Sequence, residues 1–185
     1  MQIFALIASL LIISNLPNSV ADDSKSPTYI WAGHIIITQL EGTNTFAAYS
    51  TKTGKWASHT FPDGLQATPF VSNSCVAFQL SGKSIAELVA VDENGIWRIH
   101  KLSKPTQAVC VPTIGEQLLY YAFDGHTHAF SGIQGKWDSV STTHAVLSGK
   151  VGMEFVLVVT PTSISAFSAQ HPAWATIKTT SKVKG

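Results

Sequence analysis

His126-Thr127-His128, with Asp124 just before it, is the one place where two imidazoles fall close together in this chain. Residues two apart on a strand share a face, so both rings are able to approach one metal ion of the kind that takes nitrogen ligands. Nothing else in the sequence supplies an obvious third ligand. The pair is therefore read chiefly as polar strand side chains, with His126 and His128 kept as the metal candidates. His59 and His100 each stand three residues after a tryptophan, where later segments place Val140 and Ile177. That equivalence with β-branched residues points to packing, since a histidine alone is no mechanism. Carboxylates are few. Glu116 and Glu154 each precede an apolar run and so fall on one rim, but paired-acid chemistry needs two carboxylates a few ångströms apart across a cleft, and no such pairing is legible. A nucleophile elbow, a phosphate-binding glycine loop and a Cys-x-x-Cys pair are all absent from the sequence. No cofactor is expected.

Cys75 and Cys110 are the only cysteines. They lie in adjacent segments, each inside an apolar run. Two readings stay open: a disulfide formed under oxidising conditions, or two buried thiols acting as small hydrophobes.

The elements that position these residues follow from a repeat. The decapeptides Ala47–Trp56, Leu88–Trp97, His128–Trp137 and Ser165–Trp174 each end in tryptophan, and the tryptophans fall 41, 40 and 37 residues apart. A period near 40 marks repeated sheet units of propeller type. Each unit shows short β-type runs broken by turn residues. In the second these are Thr68–Ser72, Cys75–Leu80, Ile85–Val91 and Ile96–Leu102. In the third and fourth the first strands are expected at Ala108–Val111 and Ala145–Ser148. Two residues before the tryptophan stand Gly54, Gly95 and Gly135, as a tight hairpin requires, and once Pro172. Seven before stand Tyr49, Ala90, Phe130 and Phe167. A lone blade cannot bury its faces, so Trp56, Trp97, Trp137 and Trp174, with Tyr49, Phe130 and Phe167, are expected between blades. No helical periodicity follows the first twenty residues. The fold predicted is all-β and β-propeller-like: four blades of about 40 residues, mostly of four antiparallel strands each. Either four narrow blades close a ring, or the chain forms an open arc whose exposed faces favour pairing with another copy.

The stretch Tyr49-Ser50-Thr51-Lys52-Thr53-Gly54-Lys55-Trp56, echoed by Phe130 to Trp137 and Phe167 to Trp174, resembles the third-to-fourth-strand hairpin of kelch repeats. The glycine doublet typical of that family is absent, and Ala90 departs from the aromatic position. Ala48–Trp56 is also similar to quinoprotein-type propeller repeats.

Ile3–Ile13 is almost wholly apolar, and Ser19-Val20-Ala21 presents small residues for cleavage. A signal peptide is predicted over 1–21, a short linker over 22–27, the β-domain over 28–180 and a disordered tail over 181–185. The chain is thus expected to be secreted or periplasmic, with no stable membrane span once the signal is removed. Charged residues form 12% of the chain and the formal net charge is +1, with no cluster of Lys and Arg fit for phosphates, so nucleic acid is excluded as a partner. The function expected is noncatalytic: an exported binding or scaffolding module with a protein or carbohydrate ligand. It would be a monomer, or a homodimer if the ring is incomplete. The alternative is an extracytoplasmic enzyme, carbohydrate-active or metal-dependent, with a site at the channel or rim.

Overall fold

Alternation of apolar and polar residues at period two, cut every few residues by Gly, Asp, Asn or Ser, gives strands and hairpins with no helix among the described residues. The structure, a computed structural model, describes residues 28–142 and 146–179. The expected signal peptide, linker and tail lie outside the described residues. No helix among those described is long and apolar enough to cross a membrane.

Sixteen strands form four antiparallel sheets in chain order. The first holds β1 (Tyr29–Ala32), β2 (Ile35–Gln39), β3 (Thr45–Ser50) and β4 (Lys55–Thr60). The second holds β5 (Gln66–Val71), β6 (Cys75–Ser81), β7 (Ile85–Asp92) and β8 (Trp97–Thr106). The third holds β9 (Thr113–Ile114), β10 (Leu118–Phe123), β11 (His126–Ser131) and β12 (Lys136–Ser141). The fourth holds β13 (Ser148–Val151), β14 (Phe155–Thr160), β15 (Ser163–Ser168) and β16 (Trp174–Lys178). Each is an up-and-down meander, and the whole is an all-β, propeller-like stack of four blades. Two expectations are corrected. The first strand of the third blade is Thr113–Ile114 rather than Ala108–Val111, and that of the fourth is Ser148–Val151.

The sheets pack in series, first on second, second on third and third on fourth. Ile35, Ile37, Phe46 and Ala48 of the first sheet meet Val76, Phe78 and Leu88 of the second, and the same core runs on to Tyr121 and Phe130 of the third. A separate cluster of Leu118, Ala129, Val156, Val158 and Phe167 joins the third to the fourth. Phe78 lies at the centre of the first, edge-on to Phe46 at 5.3 Å between ring centroids and stacked on Trp97 at 5.6 Å.

Three of the indoles reach back to the preceding sheet. Trp97 stacks on His59 of the preceding sheet at 5.3 Å. Trp137 stacks on His100 at 5.4 Å and donates from Nε1 to the Arg98 carbonyl at 3.2 Å. Trp174 donates from Nε1 to the Asp138 carbonyl at 3.2 Å. Trp56 differs because no sheet precedes its own among the described residues. Its ring is 57% exposed, touching Tyr49 across the hairpin, so its assignment to the inter-blade core is corrected. The hairpin turns carry Gly54, Gly95 and Gly135 at φ of 66°, 79° and 61°, a region closed to side chains except at a cost.

Both cysteines are buried free thiols, which removes the disulfide reading. The physical reason is register. Cys110 forms an isolated bridge with Leu80, five residues along β6 from Cys75, and that separation is roughly 16 Å at the rise of a strand. A disulfide needs Cα atoms within about 7 Å. Burial pushes the Cys75 thiol up to about 12 and that of Cys110 up to about 11, so neither is a ready nucleophile.

Candidate binding site

The hairpin joining β10 to β11 turns on Asp124-Gly125, with φ of 48° and 72°. Two consecutive positive φ values are the signature of a tight two-residue turn, for which Asp-Gly is a preferred pair. The turn fixes the register Phe123↔His126, and β11 then carries His126 and His128 on one face. β8 of the preceding blade brings His100 up to them. His100 Nε2 and His128 Nδ1 share a hydrogen bond of 3.0 Å. Beyond His128 lie Phe123 at 5.1 Å and His126 at 6.0 Å between ring centroids, while Trp137 supports His100 from behind. His126 donates from Nδ1 to the Asp124 carbonyl at 3.0 Å.

This aromatic array forms one wall of a groove of about 280 Å³ between the second and third blades. The end of β8, with Leu102, Lys104 and Pro105, forms the other wall. A second groove of about 260 Å³ sits at the equivalent place one blade earlier, between the end of β4 and the start of β7. His59, Phe61, Leu65 and Glu87 line it. The architecture therefore makes such a groove by default, and the side chains decide its chemistry.

Burial holds His128 down at about 4, helped by the neighbouring His100 and His126. Burial also lowers His100, opposed by Asp138, and lowers His59, opposed by Glu87. At neutral pH His128 and His100 are thus uncharged rings with one donor and one acceptor each. This has a consequence for stability. The unfolded chain takes up a proton at His128 near pH 6.5, the folded chain only near 4. The contribution of the neutral ring is full above about pH 6.5 and is lost as pH falls towards 4. We expect a loss of about 2 kcal/mol across that window, less than the whole difference would give because water reaches part of the ring. Urea midpoints at pH 7.5 and 4.5 measure it, and the His128→Gln protein should show a flatter profile. An unchanged profile would assign the acid sensitivity elsewhere.

The arrangement does not fit a metal. Imidazole lone pairs lie in the ring plane, and the rings of His126 and His128 are stacked at 21° rather than converging. His128 Nδ1 is already engaged by His100. Among the described residues no group of three His, Cys, Asp or Glu side chains is placed to hold a metal ion. Among the acids, Asp124 stands apart from the other two. Glu116 precedes β10 and Asp124 follows it, so they lie at opposite ends of a six-residue strand. Glu154 lies in the turn before β14, on the same rim as Glu116.

Sequence reasoning found His126 and His128 but treated His100 as packing alone. Its partnership with His128 crosses between blades, where no local pattern records it. The Asp-Gly dipeptide was the available signal for the turn that sets the register.

No family model matches the chain, and no curated protein matches it. Solved structures that it is similar to include Kluyveromyces lactis Hsv2, at 11% identity and TM-score 0.37, covering 82% of this chain and 51% of that one. Another is a streptogramin B lyase, at 11% identity and TM-score 0.39, covering 88% of this chain and 57% of that one. A third is the N-terminal domain of Nup159, at 12% identity and TM-score 0.37, covering 79% and 40%. The chain spans about half the length of the solved structures it is similar to. At that level the likeness carries nothing about activity or partners.

Proposed function

We propose that the chain is an exported, noncatalytic binding module built of kelch-like repeats, and that it holds its ligand in the groove between the second and third blades. The observation that supports this most is the wall of that groove: Phe123, His126 and His128, ring beside ring, facing Leu102 and Pro105. Apolar faces carrying a few fixed polar atoms are what small recognition pockets are made of. A volume of about 280 Å³ admits one side chain or one ring, not an extended substrate. We take the ligand to be a protein segment that inserts an aromatic side chain, with Lys104 and Asp124 at the mouth to meet its backbone.

The test is a titration of the exported protein with N-acetyltryptophanamide, followed by the ring proton resonances of Phe123, His126 and His128. Saturable shifts at these three rings, abolished in His128→Gln, support the reading. Uniform or absent shifts, or an equal response to a simple methyl glycoside, overturn it. A secreted chain beginning at Asp22 by mass spectrometry supports export, and retention of the first 21 residues removes it.

A further inference from the structure

The two ends of the stack are complementary halves of one interface. Within the chain the later indole meets the preceding blade by two contacts, each present at two of the three joints and both together at Trp137, while the buried Trp97 Nε1 is without a partner. The indole of the later blade lies over the residue three places after the earlier tryptophan, as Trp97 does over His59 and Trp137 over His100. Indole Nε1 reaches the carbonyl one place after the earlier tryptophan, as Trp137 does at Arg98 and Trp174 at Asp138. Beside the same hairpin end a serine adds a bond at two of the joints. Ser50 donates to the Glu93 carbonyl at 2.7 Å and Ser131 to the Ala169 carbonyl at 2.7 Å.

Applied to the ends, these contacts leave one indole without a seat and one seat without an indole. Trp56 has no preceding blade among the described residues and is 57% exposed. The seat formed on the fourth blade is Ile177, three places after Trp174, and the Ala175 carbonyl, one place after it. Ile177 is 64% exposed and Ala175 is also exposed. Ser168 accepts from the Gln170 N–H at 3.2 Å just as Ser50 accepts from the Lys52 N–H at 3.2 Å, and no blade follows it among the described residues. Around these points both faces are largely apolar. Trp56, Ala47 and Leu40 border a shallow depression on the first sheet, and Phe155 stands 51% exposed on the fourth. The exposure of both faces shows that the chain does not close on itself.

We infer that a second copy of this chain completes the ring head to tail, the Trp56 face of each copy seating on the Ile177 face of the other. Two such joints related by a two-fold axis give eight blades, within the range of four to eight that propellers adopt. Head-to-tail contacts either close or grow without limit, and two half-rings close. Each joint continues contacts that the chain already uses inside itself. Nothing in this inference depends on the groove or its ligand.

Sedimentation velocity of the full exported chain tests it. A dimer at low micromolar concentration is expected. Trp56→Glu and Ile177→Lys should each raise the dimer dissociation constant at least 100-fold, while circular dichroism shows the fold kept, since both side chains face solvent in the single chain. An equimolar mixture of the two variants should recover dimer, because one joint is then unaltered and the other pairs Glu with Lys. A wild-type monomer at 100 µM, with either face covered by another chain or by none, overturns the inference. So does a dimer indifferent to Ile177→Lys, which would pair two Trp56 faces. Species that lengthen with concentration, or failure of the mixture to recover, overturn it equally.

Discussion

Tyr121→Phe should lower the free energy of unfolding by about 2–4 kcal/mol, although it removes one oxygen atom and leaves the ring. The pairing of β6 with β7 stops at Ala77↔Ala90, and β7 carries an irregularity between Ile85 and Glu87. Beyond that point β5 still lines one edge of β6, but the edge that faces β7 has no strand of its own sheet to bond. The third blade supplies one. The Tyr121 hydroxyl donates to the Phe78 carbonyl at 2.8 Å and accepts from the Phe78 N–H at 3.2 Å. One register step later the Cys110 and Leu80 backbones exchange bonds of 2.9 Å and 3.0 Å. Tyr121 is fully buried, and burial drives its phenol far above the ordinary range, so the proton stays in place to be donated. Phenylalanine would leave a buried N–H and a buried carbonyl unmet, each at about 1–3 kcal/mol. Equilibrium urea unfolding followed by circular dichroism measures the loss. A change under 1 kcal/mol would mean that water or β7 closes the gap.

That splayed ladder also shows why the sequence was legible in some places and not in others. Strands β6, β7 and β8 stand where the turns Ser81–Ser84 and Asp92–Gly95 put them, because turn chemistry is local and Gly95 needs its positive φ. Ala108–Val111 misled for the opposite reason. Its apolar run is used by Cys110 to bridge Leu80 in another blade, a tertiary bond that no window of neighbouring residues encodes. The four tryptophans were visible as a period, but a period has no ends. Which of them lacks a predecessor among the described residues is a property of the stack, and it is Trp56. In the groove, the spacing of His126 and His128 was readable from β alternation, whereas the bond from His100 joins residues 28 apart.

Asp92 is the sharpest case of a residue whose weight was hidden by its type, since an aspartate in a turn usually needs only water. Here it is 1% exposed. Its Oδ1 accepts from the N–H groups of Asn94 and Ile96, both at 3.0 Å, and so organises the β7–β8 turn. Its Oδ2 takes both arms of Arg98, Nε at 2.9 Å and Nη2 at 2.8 Å. The next blade then lies on this pair. A side chain at Gly135 would begin 2.6 Å from Asp92 Oδ2 and 2.8 Å from Arg98 Nε, at a φ of 61°, so glycine alone lets the third blade's turn seat there. Asp92→Ala should therefore cost about 3–5 kcal/mol, as removal of one partner of a buried pair does, with the lower end favoured because Arg98 reaches solvent. Asp92→Asn should cost less, for it keeps an acceptor over the turn and turns only its amide against the guanidinium. Arg98→Met in the Asp92→Ala background separates the two parts. If the double variant is no less stable than Asp92→Ala alone, the stranded guanidinium set the cost. If stability falls further, the turn N–H groups set it. Asp92→Ala costing under 1 kcal/mol in urea unfolding would show that the junction of the second and third blades does not rest on this carboxylate.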